Sequence, residues 1–411
     1  MKIYLVGGAV RDQLLGLPVK ERDWVVVGET PETMQARGFR AVGKHFPVFL
    51  HPDTHEEYAL ARTERKTAPG YRGFDVYAAP DITLEEDLLR RDLTINAMAM
   101  DIEGRLIDPY HGRQDLEART LRHVSPAFSE DPVRILRVAR LAARYAHLRF
   151  RVAGETQALM RKMVDLGEVN ALVAERVWAE LQRALAETTP VAFFETLRSC
   201  SAHARLFPEI ERLFGVPQPP VHHPEIDTGV HTLLALEQAA KLGGDVRVRF
   251  AVLTHDLGKG LTPKTQWPHH RGHEQTGLKA LDQLCERLRV PGQYRKLAAQ
   301  VMRFHTRCHR ALELRPSTLV DTLQALDLLK RDRNIEPFLL ACEADARGRL
   351  GLEHRSYPQA SLLRAARAAA LAVSTDAVLD KGIRGPDVGE ALRRLRIDAV
   401  RECLLSWRQN S

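Results

Sequence analysis

At 411 residues, 44% apolar and 27% charged, the chain is too long for one hydrophobic core and too balanced to be disordered or fibrous. A formal charge of +7 and a pI near 9.2 favour a polyanionic partner such as nucleic acid without requiring one. Five well-separated cysteines suggest neither a disulfide framework nor a thiolate zinc site; with no membrane-length apolar run and no signal-like start, the expectation is a soluble cytoplasmic protein with no membrane partner.

Lys2 to Val6 reads as a short strand, and Gly7-Gly8-Ala9-Val10-Arg11-Asp12 follows as a turn whose glycines let backbone N–H groups approach a triphosphate. Arg11 can grip that phosphate bidentately. Glu21 and Asp23 precede the apolar run Trp24 to Val27, and strand alternation predicts both carboxylates on one face. Two such carboxylates can hold two magnesium ions that activate a hydroxyl and stabilise a departing pyrophosphate. Further strand-like runs cover Phe46 to Leu50 and Glu57 to Ala61, and beyond Val124 the periodicity turns helical. The expected fold is therefore an α+β head on an all-helical body.

Glu64 to Phe74 is basic, with glycines and a proline, and is expected to be a mobile loop near the catalytic face; the alternative is a plain solvated connection. Arg90-Arg91-Asp92-Leu93-Thr94-Ile95-Asn96-Ala97 is expected to open a helix. Arg91 would reach phosphates and Asp92 with Asn96 a ribose hydroxyl pair, or the segment is an ordinary capped helix with a salt bridge. Pro132 starts another helix, along which Arg134, Arg137 and Arg140 form a basic ridge while Ile135, Leu136, Val138 and Ala139 face inward. Asp131 beside Arg134 sets an acceptor next to a fork of donors, which matches the Watson–Crick edges of cytosine and adenine and opposes those of uracil and guanine.

Gly7-Gly8-x-Val10-Arg11-Asp12, Glu21-x-Asp23, Arg90-Arg91-Asp92-x-x-x-Asn96-Ala97, Asp108-Pro109-Tyr110-His111-Gly112 and Glu130-Asp131-x-x-Arg134 resemble, in order, the motifs of the class II CCA-adding enzymes, which are tRNA nucleotidyltransferases. The resemblance implies a polymerase beta-like head with a mixed sheet, and tRNA, CTP and ATP as partners. It also implies protein side chains in place of a nucleic-acid template. By the same resemblance Gly8 and Arg11 bind the triphosphate, Arg91 and Asn96 the sugar-phosphate, Asp131 and Arg134 the base, Arg137 and Arg140 the phosphates, and Glu21 and Asp23 hold Mg2+ and are catalytic. The first carboxylate is commonly Asp in that family and is Glu21 here, which the longer side chain tolerates.

Gly215 to Pro224 carries four prolines and is expected to be a semi-rigid joint between domains. Past it, His255-Asp256-Leu257-Gly258-Lys259 follows an apolar run, with His231 upstream and His273 and His305 downstream. Histidines and carboxylates converging from several helices suit a divalent metal site. The pattern resembles an HD-type phosphohydrolase domain, with His231, His255 and Asp256 as the leading ligands, His273 and His305 as further ones and Asp345 as one choice for a closing acid; His222, His223, His269 and His270 are read as loop residues. The alternative is a helical tRNA-binding scaffold. Leu362 to Val373 reads as an amphipathic, alanine-rich surface helix.

A CCA-adding head joined to an HD domain resembles the multifunctional CCA proteins of bacteria. That resemblance implies 2′,3′-cyclic phosphodiesterase, 2′-nucleotidase and phosphatase activities, with Ni2+ for the phosphatase. The expected division is a head at 1–123, a helical neck and body at 124–214, an HD domain at 225–350 and a helical tail at 351–411, as monomer or homodimer. Two other readings stand beside it: a bacterial poly(A) polymerase, and an HD phosphohydrolase whose head only binds tRNA.

Overall fold

The structure is a computed structural model that describes residues 1–42, 47–66, 74–330 and 332–409. It separates into two compact units, Met1–Leu206 and Phe207–Ser411. The first opens with β1 (Lys2–Val6), α1 (Gly8–Leu14), β2 (Asp23–Val27), α2 (Pro31–Ala36), β3 (Arg40–Ala41), β4 (Val48–Leu50) and β5 (Glu57–Leu60). It continues through β6 (Thr63–Lys66), β7 (Phe74–Tyr77), α3 (Leu84–Leu89), β8 (Ala99–Met100), β9 (Leu106–Ile107) and α4 (Gly112–Glu117). Seven strands form one mixed sheet in the order β3-β4-β5-β2-β1-β8-β9, with β2 and β5 parallel and the other pairs antiparallel.

Alternation along β2 explains why the sheet is central. Val25 packs into one core cluster with Val6, Leu88 and Ala99, and Val26 into another with Met34, Phe49 and Leu60. Asp23, two residues before Val25, shares the Val25 face and pairs in register with Val6, directly before the glycine turn. Glu21 lies outside β2, so only Asp23 of the two carboxylates is aimed by strand geometry.

The basic segment differs from expectation at its ends: Thr63–Lys66 and Phe74–Tyr77 pair as an antiparallel ribbon, and 67–73 lie outside the described residues. Arg90 and Arg91 do not open a helix either. They follow the C-terminus of α3, and Thr94–Asn96 is a single 3₁₀ turn. The capping box of Thr83 and Glu86 starts α3 earlier than the sequence spacing predicted, so the helix ends where one was expected to begin.

Helices α5 (Val133–Tyr145), α6 (Gly154–Asp165), α7 (Ala174–Ala186), α8 (Val191–Ser199) and α9 (Ala202–Leu206) complete the unit, with α5 packed on α7 and α8. The inward face of α5 holds Ile135, Leu136, Val138 and Ala139 as expected, each fully buried.

The second unit is helical throughout: α10 (Pro208–Glu211), α11 (Thr228–Lys241), α12 (Val246–Thr254), α13 (His273–Leu288), α14 (Gly292–His309), α15 (Pro316–Ala325), α16 (Glu336–Arg347), α17 (Pro358–Ala372), α18 (Asp376–Leu379) and α19 (Asp387–Gln409). Its core forms where α12 packs on α11, α14 and α16. The proline-rich stretch is tied down locally. Gln218 N donates to Ile226 O at 2.7 Å and Thr228 N to Val216 O at 2.9 Å, stitching it into this unit. No helix among the described residues is long and apolar enough to cross a membrane.

Candidate functional sites

In the first unit a cavity of about 990 Å³ brings together Gly8, Arg11, Glu21, Asp23, Arg91, Asn96, Asp131, Arg134, Arg137 and Arg140, every residue to which the resemblance gave a part in holding metal or nucleotide. The glycine turn is shaped for it. Gly7 has φ +68°, where an L side chain is strained, and a Cβ there would stand 2.9 Å from the Arg91 guanidinium, so glycine opens the space Arg91 occupies. Arg91 is itself held by Asp87 at 3.1 Å, a fully buried carboxylate that also takes Arg90 at 2.7 Å.

A buried polar chain fixes Arg11. Its Nε donates to Asp12 at 2.9 Å and its Nη1 to Asn96 Oδ1 at 2.5 Å. Asp12 also accepts from Tyr145 at 2.6 Å and Arg144 at 2.8 Å; Asn96 passes its amide N–H to Asp92 at 2.9 Å, and Asp92 accepts Arg137 at 2.7 Å. Asp92 and Asn96 are thus partners of each other and of two arginines. Burial works to protonate Asp92, and Arg137 with the Asn96 hydrogen bond overrides it, holding the carboxyl well below the usual range. Asp23 is shifted the other way: burial and the nearby Glu21 raise it, opposed by Arg91 and Arg137.

The expected basic ridge is not a solvated one. Arg134 is 8% exposed and donates to the carbonyls of Ala127 at 3.0 Å and Arg90 at 2.5 Å, while Arg140 pairs with Glu180 at 2.6 Å. Asp131 receives both Arg176 Nη atoms, at 3.2 and 2.7 Å. Sequence reasoning missed Arg176, Glu180 and Tyr145, and quoted Asp12 in the glycine motif without giving it a role. Arg176 and Glu180 lie one turn apart on α7 beside the buried Val177 and Leu181, and charges that close to an apolar stripe were the available signal.

In the second unit all five expected ligands, and Asp345, converge. His231 Nε2 lies 3.0 Å from Asp345 Oδ1, His255 Nε2 3.1 Å from Asp256 Oδ2, and His273 and His305 Nε2 lie 3.3 and 3.7 Å from Asp256 Oδ1. Each ring turns Nδ1 to a backbone carbonyl: His231 to Gly348, His255 to Val252, His273 to His270 and His305 to Val301 and Met302, at 2.7 to 3.1 Å. A carbonyl acceptor makes each Nδ1 a donor and turns the four Nε2 atoms toward two carboxylates. Nε2 of His255 and His273 and both oxygens of Asp256 are buried without a hydrogen bond, a donor set that a divalent cation satisfies. Burial opposes charge on His255, yet Asp256 and Asp345 push it up to about 9, while burial and the charge on His255 hold His305 down to about 3.

Gly258 makes the convergence sterically feasible, since a Cβ there would strike the His273 carbonyl where α13 passes. His222 and His269 are exposed loop residues as expected, whereas His223 and His270, also outside helices, are buried. His309, which the sequence did not single out, donates to Asp345 Oδ2 at 2.6 Å and meets Tyr357 Oη at 2.9 Å.

A carboxylate-bearing mixed sheet facing an arginine-lined cavity, followed by a helical histidine–aspartate centre, defines a nucleotidyltransferase head with an HD domain. The family described as "Poly A polymerase head domain" matches residues 3–122, "Probable RNA and SrmB- binding site of polymerase A" matches 149–214, and "HD domain" matches 228–340. The Multifunctional CCA protein of Methylococcus capsulatus is 69% identical over 98% of this chain and 95% of its own, and that of Thioalkalivibrio sulfidiphilus 65% over 99% and 100%. The fold also matches the Thermotoga maritima CCA-adding enzyme complexed with tRNA, at a TM-score of 0.62 and 20% identity over 99% of this chain and 91% of the other. The chain belongs to the multifunctional CCA protein family.

Proposed function

We propose that the chain adds C, C and A to the tRNA 3′ end from CTP and ATP without a nucleic-acid template, and that its second unit hydrolyses phosphoesters at damaged tRNA 3′ ends. The observation that carries the first half is the single cavity holding the glycine turn, Asp23 and the Asp131–Arg134 pair. Arg11 and Arg91 take the triphosphate, and their fixed partners Asp12, Asn96 and Asp87 keep both guanidiniums in place before substrate arrives. The tRNA 3′ hydroxyl attacks the α-phosphorus and pyrophosphate departs into this arginine field. Glu21 and Asp23 would hold Mg2+, which lowers the pKa of the attacking hydroxyl and neutralises the leaving group.

Asp131 accepts from the exocyclic amino group of cytosine or adenine and Arg134 donates to the adjacent acceptor. A carboxylate offers about four acceptor sites, so the Arg176 contacts orient Asp131 without exhausting it. Arg137 and Arg140, anchored by Asp92 and Glu180, add phosphate contacts. In the second unit His231, His255, Asp256, His273, His305 and Asp345 would hold a divalent transition metal, Ni2+ in our reading, that makes bound water a nucleophile toward a 2′,3′-cyclic or terminal phosphate.

We assign the head to 1–123, neck and body to 124–214, the HD domain to 225–350 and the tail to 351–411, and place the protein in the cytoplasm. The test is to incubate tRNA lacking its CCA end with Mg2+, CTP and ATP and to sequence the product. CCA followed by a halt is expected; a long A tract would make the chain a poly(A) polymerase, and no extension would leave the head a binding module.

A further inference from the structure

The segment from Pro217 to Asp227 lies against the histidine–aspartate centre and touches it through three links. Glu225, whose side chain is 2% exposed, sets Oε1 3.0 Å from Nδ1 of His231 and 3.0 Å from Nδ1 of His223, while Oε2 accepts from Leu350 N at 3.2 Å. Gln218 accepts from the Lys259 ammonium, which in turn lies 2.7 Å from Asp256 Oδ2. The Pro217 carbonyl accepts from His270 Nε2 at 2.8 Å, and the His270 carbonyl faces His273 Nδ1 at 2.9 Å. The mount is stiff: Pro217 and Asp227 form a bridge, and Asp227 caps α11 by accepting from Val230 N at 2.9 Å, three residues from the cap.

His231 Nδ1 faces two acceptors, Glu225 Oε1 and Gly348 O at 3.1 Å, so this nitrogen carries the proton. The carbonyl alone would satisfy it. Glu225 is held in place by His223 Nδ1 and Leu350 N, and what it adds at His231 that a carbonyl lacks is a full negative charge: a carboxylate behind an imidazole raises the basicity of the opposite nitrogen. A separate cation between His223, Glu225 and His231 is disfavoured because it would need a lone pair on that same protonated nitrogen.

We propose that Glu225 is a positioning residue of the metal centre: it locks His231 as the Nδ1–H tautomer and strengthens Nε2 as a donor to a divalent cation, with the 217–227 segment as its rigid mount. This rests on reading the cluster as a metal site. The test is a cobalt(II) titration of the full metal-free chain, followed by visible absorption and calorimetry, for the natural protein, Glu225→Leu, Glu225→Gln and His255→Ala. Glu225→Leu is expected to bind cobalt about 10- to 100-fold more weakly with an altered absorption band, and Glu225→Gln, which keeps the acceptor but not the charge, to fall between. Cobalt affinity and spectrum unchanged in Glu225→Leu would overturn the positioning role while leaving the metal site standing. Cobalt binding undiminished in His255→Ala would overturn the metal site and this role with it. Should Glu225→Leu fail to fold, the near-isosteric Glu225→Gln carries the comparison: an unchanged spectrum and affinity there would overturn the proposal, and a weakened one supports it.

Discussion

In the first unit Glu21 and Asp23 face an open cavity walled by arginines, whereas in the second Asp256 and Asp345 are 1% and 2% exposed and enclosed by four histidines at 0 to 8%. The arginines are permanently charged and individually anchored, so the head keeps its positive field with or without substrate, and the polyanionic triphosphate enters a site already organised for it. In the second centre the permanent cation against these carboxylates is Lys259, 2.7 Å from Asp256 Oδ2. Burial opposes charge on His255 and the two carboxylates favour it, so what further compensation they have comes from titratable imidazoles and not from permanent cations. One site is walled by anchored permanent cations, and the other encloses its carboxylates with histidines.

The sharpest way to break this comparison is to remove one anion from each site. Asp23→Asn is expected to lower nucleotide addition by about 10³-fold or more, measured as single-turnover CMP incorporation, with tRNA affinity within a few-fold of the natural protein. Retained addition would remove Asp23 from the chemistry. His255→Ala should cost about 10³-fold in hydrolysis of a 2′,3′-cyclic phosphate while leaving addition rates intact. If either substitution lowered both activities alike, the two sites would not be independent.

How legible each site was follows from the same contrast. The head residues sit in short contiguous motifs, and a turn next to a strand is local information; the second centre draws single residues from five helices and their ends, which only packing assembles. What stayed hidden in both was the support. Arg176 lies 45 residues from Asp131 and Tyr145 lies 133 from Asp12, while Glu225, only 6 residues from His231, reads as an ordinary loop residue. The misread helix at Arg90 has two causes: the Thr83–Glu86 capping box is a local signal that the spacing argument passed over, and the 3₁₀ turn is tied by a tertiary hydrogen bond, Thr94 to Asp115 at 2.7 Å.

Base choice tests the preorganised side more finely. Asp131→Ala should erase discrimination of CTP against UTP by about 1–3 kcal/mol, read as the ratio of kcat/KM values. An unchanged ratio would move base reading elsewhere in the cavity. The anchoring chain behind it has a pH signature: Asp92 is depressed in the folded state, so its contribution is fully present above the ordinary carboxylate pKa of about 4 and is lost as pH falls below it. Asp92→Asn should therefore cost about 1.5–3 kcal/mol near neutral pH, by thermal unfolding, and flatten the acid side of the stability curve of the first unit. An unflattened curve would show that the Asp92–Arg137 pair is not what acid breaks.

The smallest effect belongs to Glu21, and it separates strand-aimed from loop-borne carboxylates. Because Glu21 precedes β2, its reach is set by the side chain and the loop, not by the pleat that aims Asp23. Glu21→Asp should change addition by less than about 10-fold, about 1.4 kcal/mol, and show mainly as a shift in the Mg2+ concentration for half-maximal rate. Glu21→Gln goes further because it removes the charge that helps raise Asp23. With that like charge gone, Asp23 ionises at lower pH, so the acid limb of the rate profile should move down even as the maximal rate falls. A profile that keeps its position would mean Glu21 does not act on Asp23, and a maximal rate that also survives would leave Asp23 as the head's one working carboxylate of the pair.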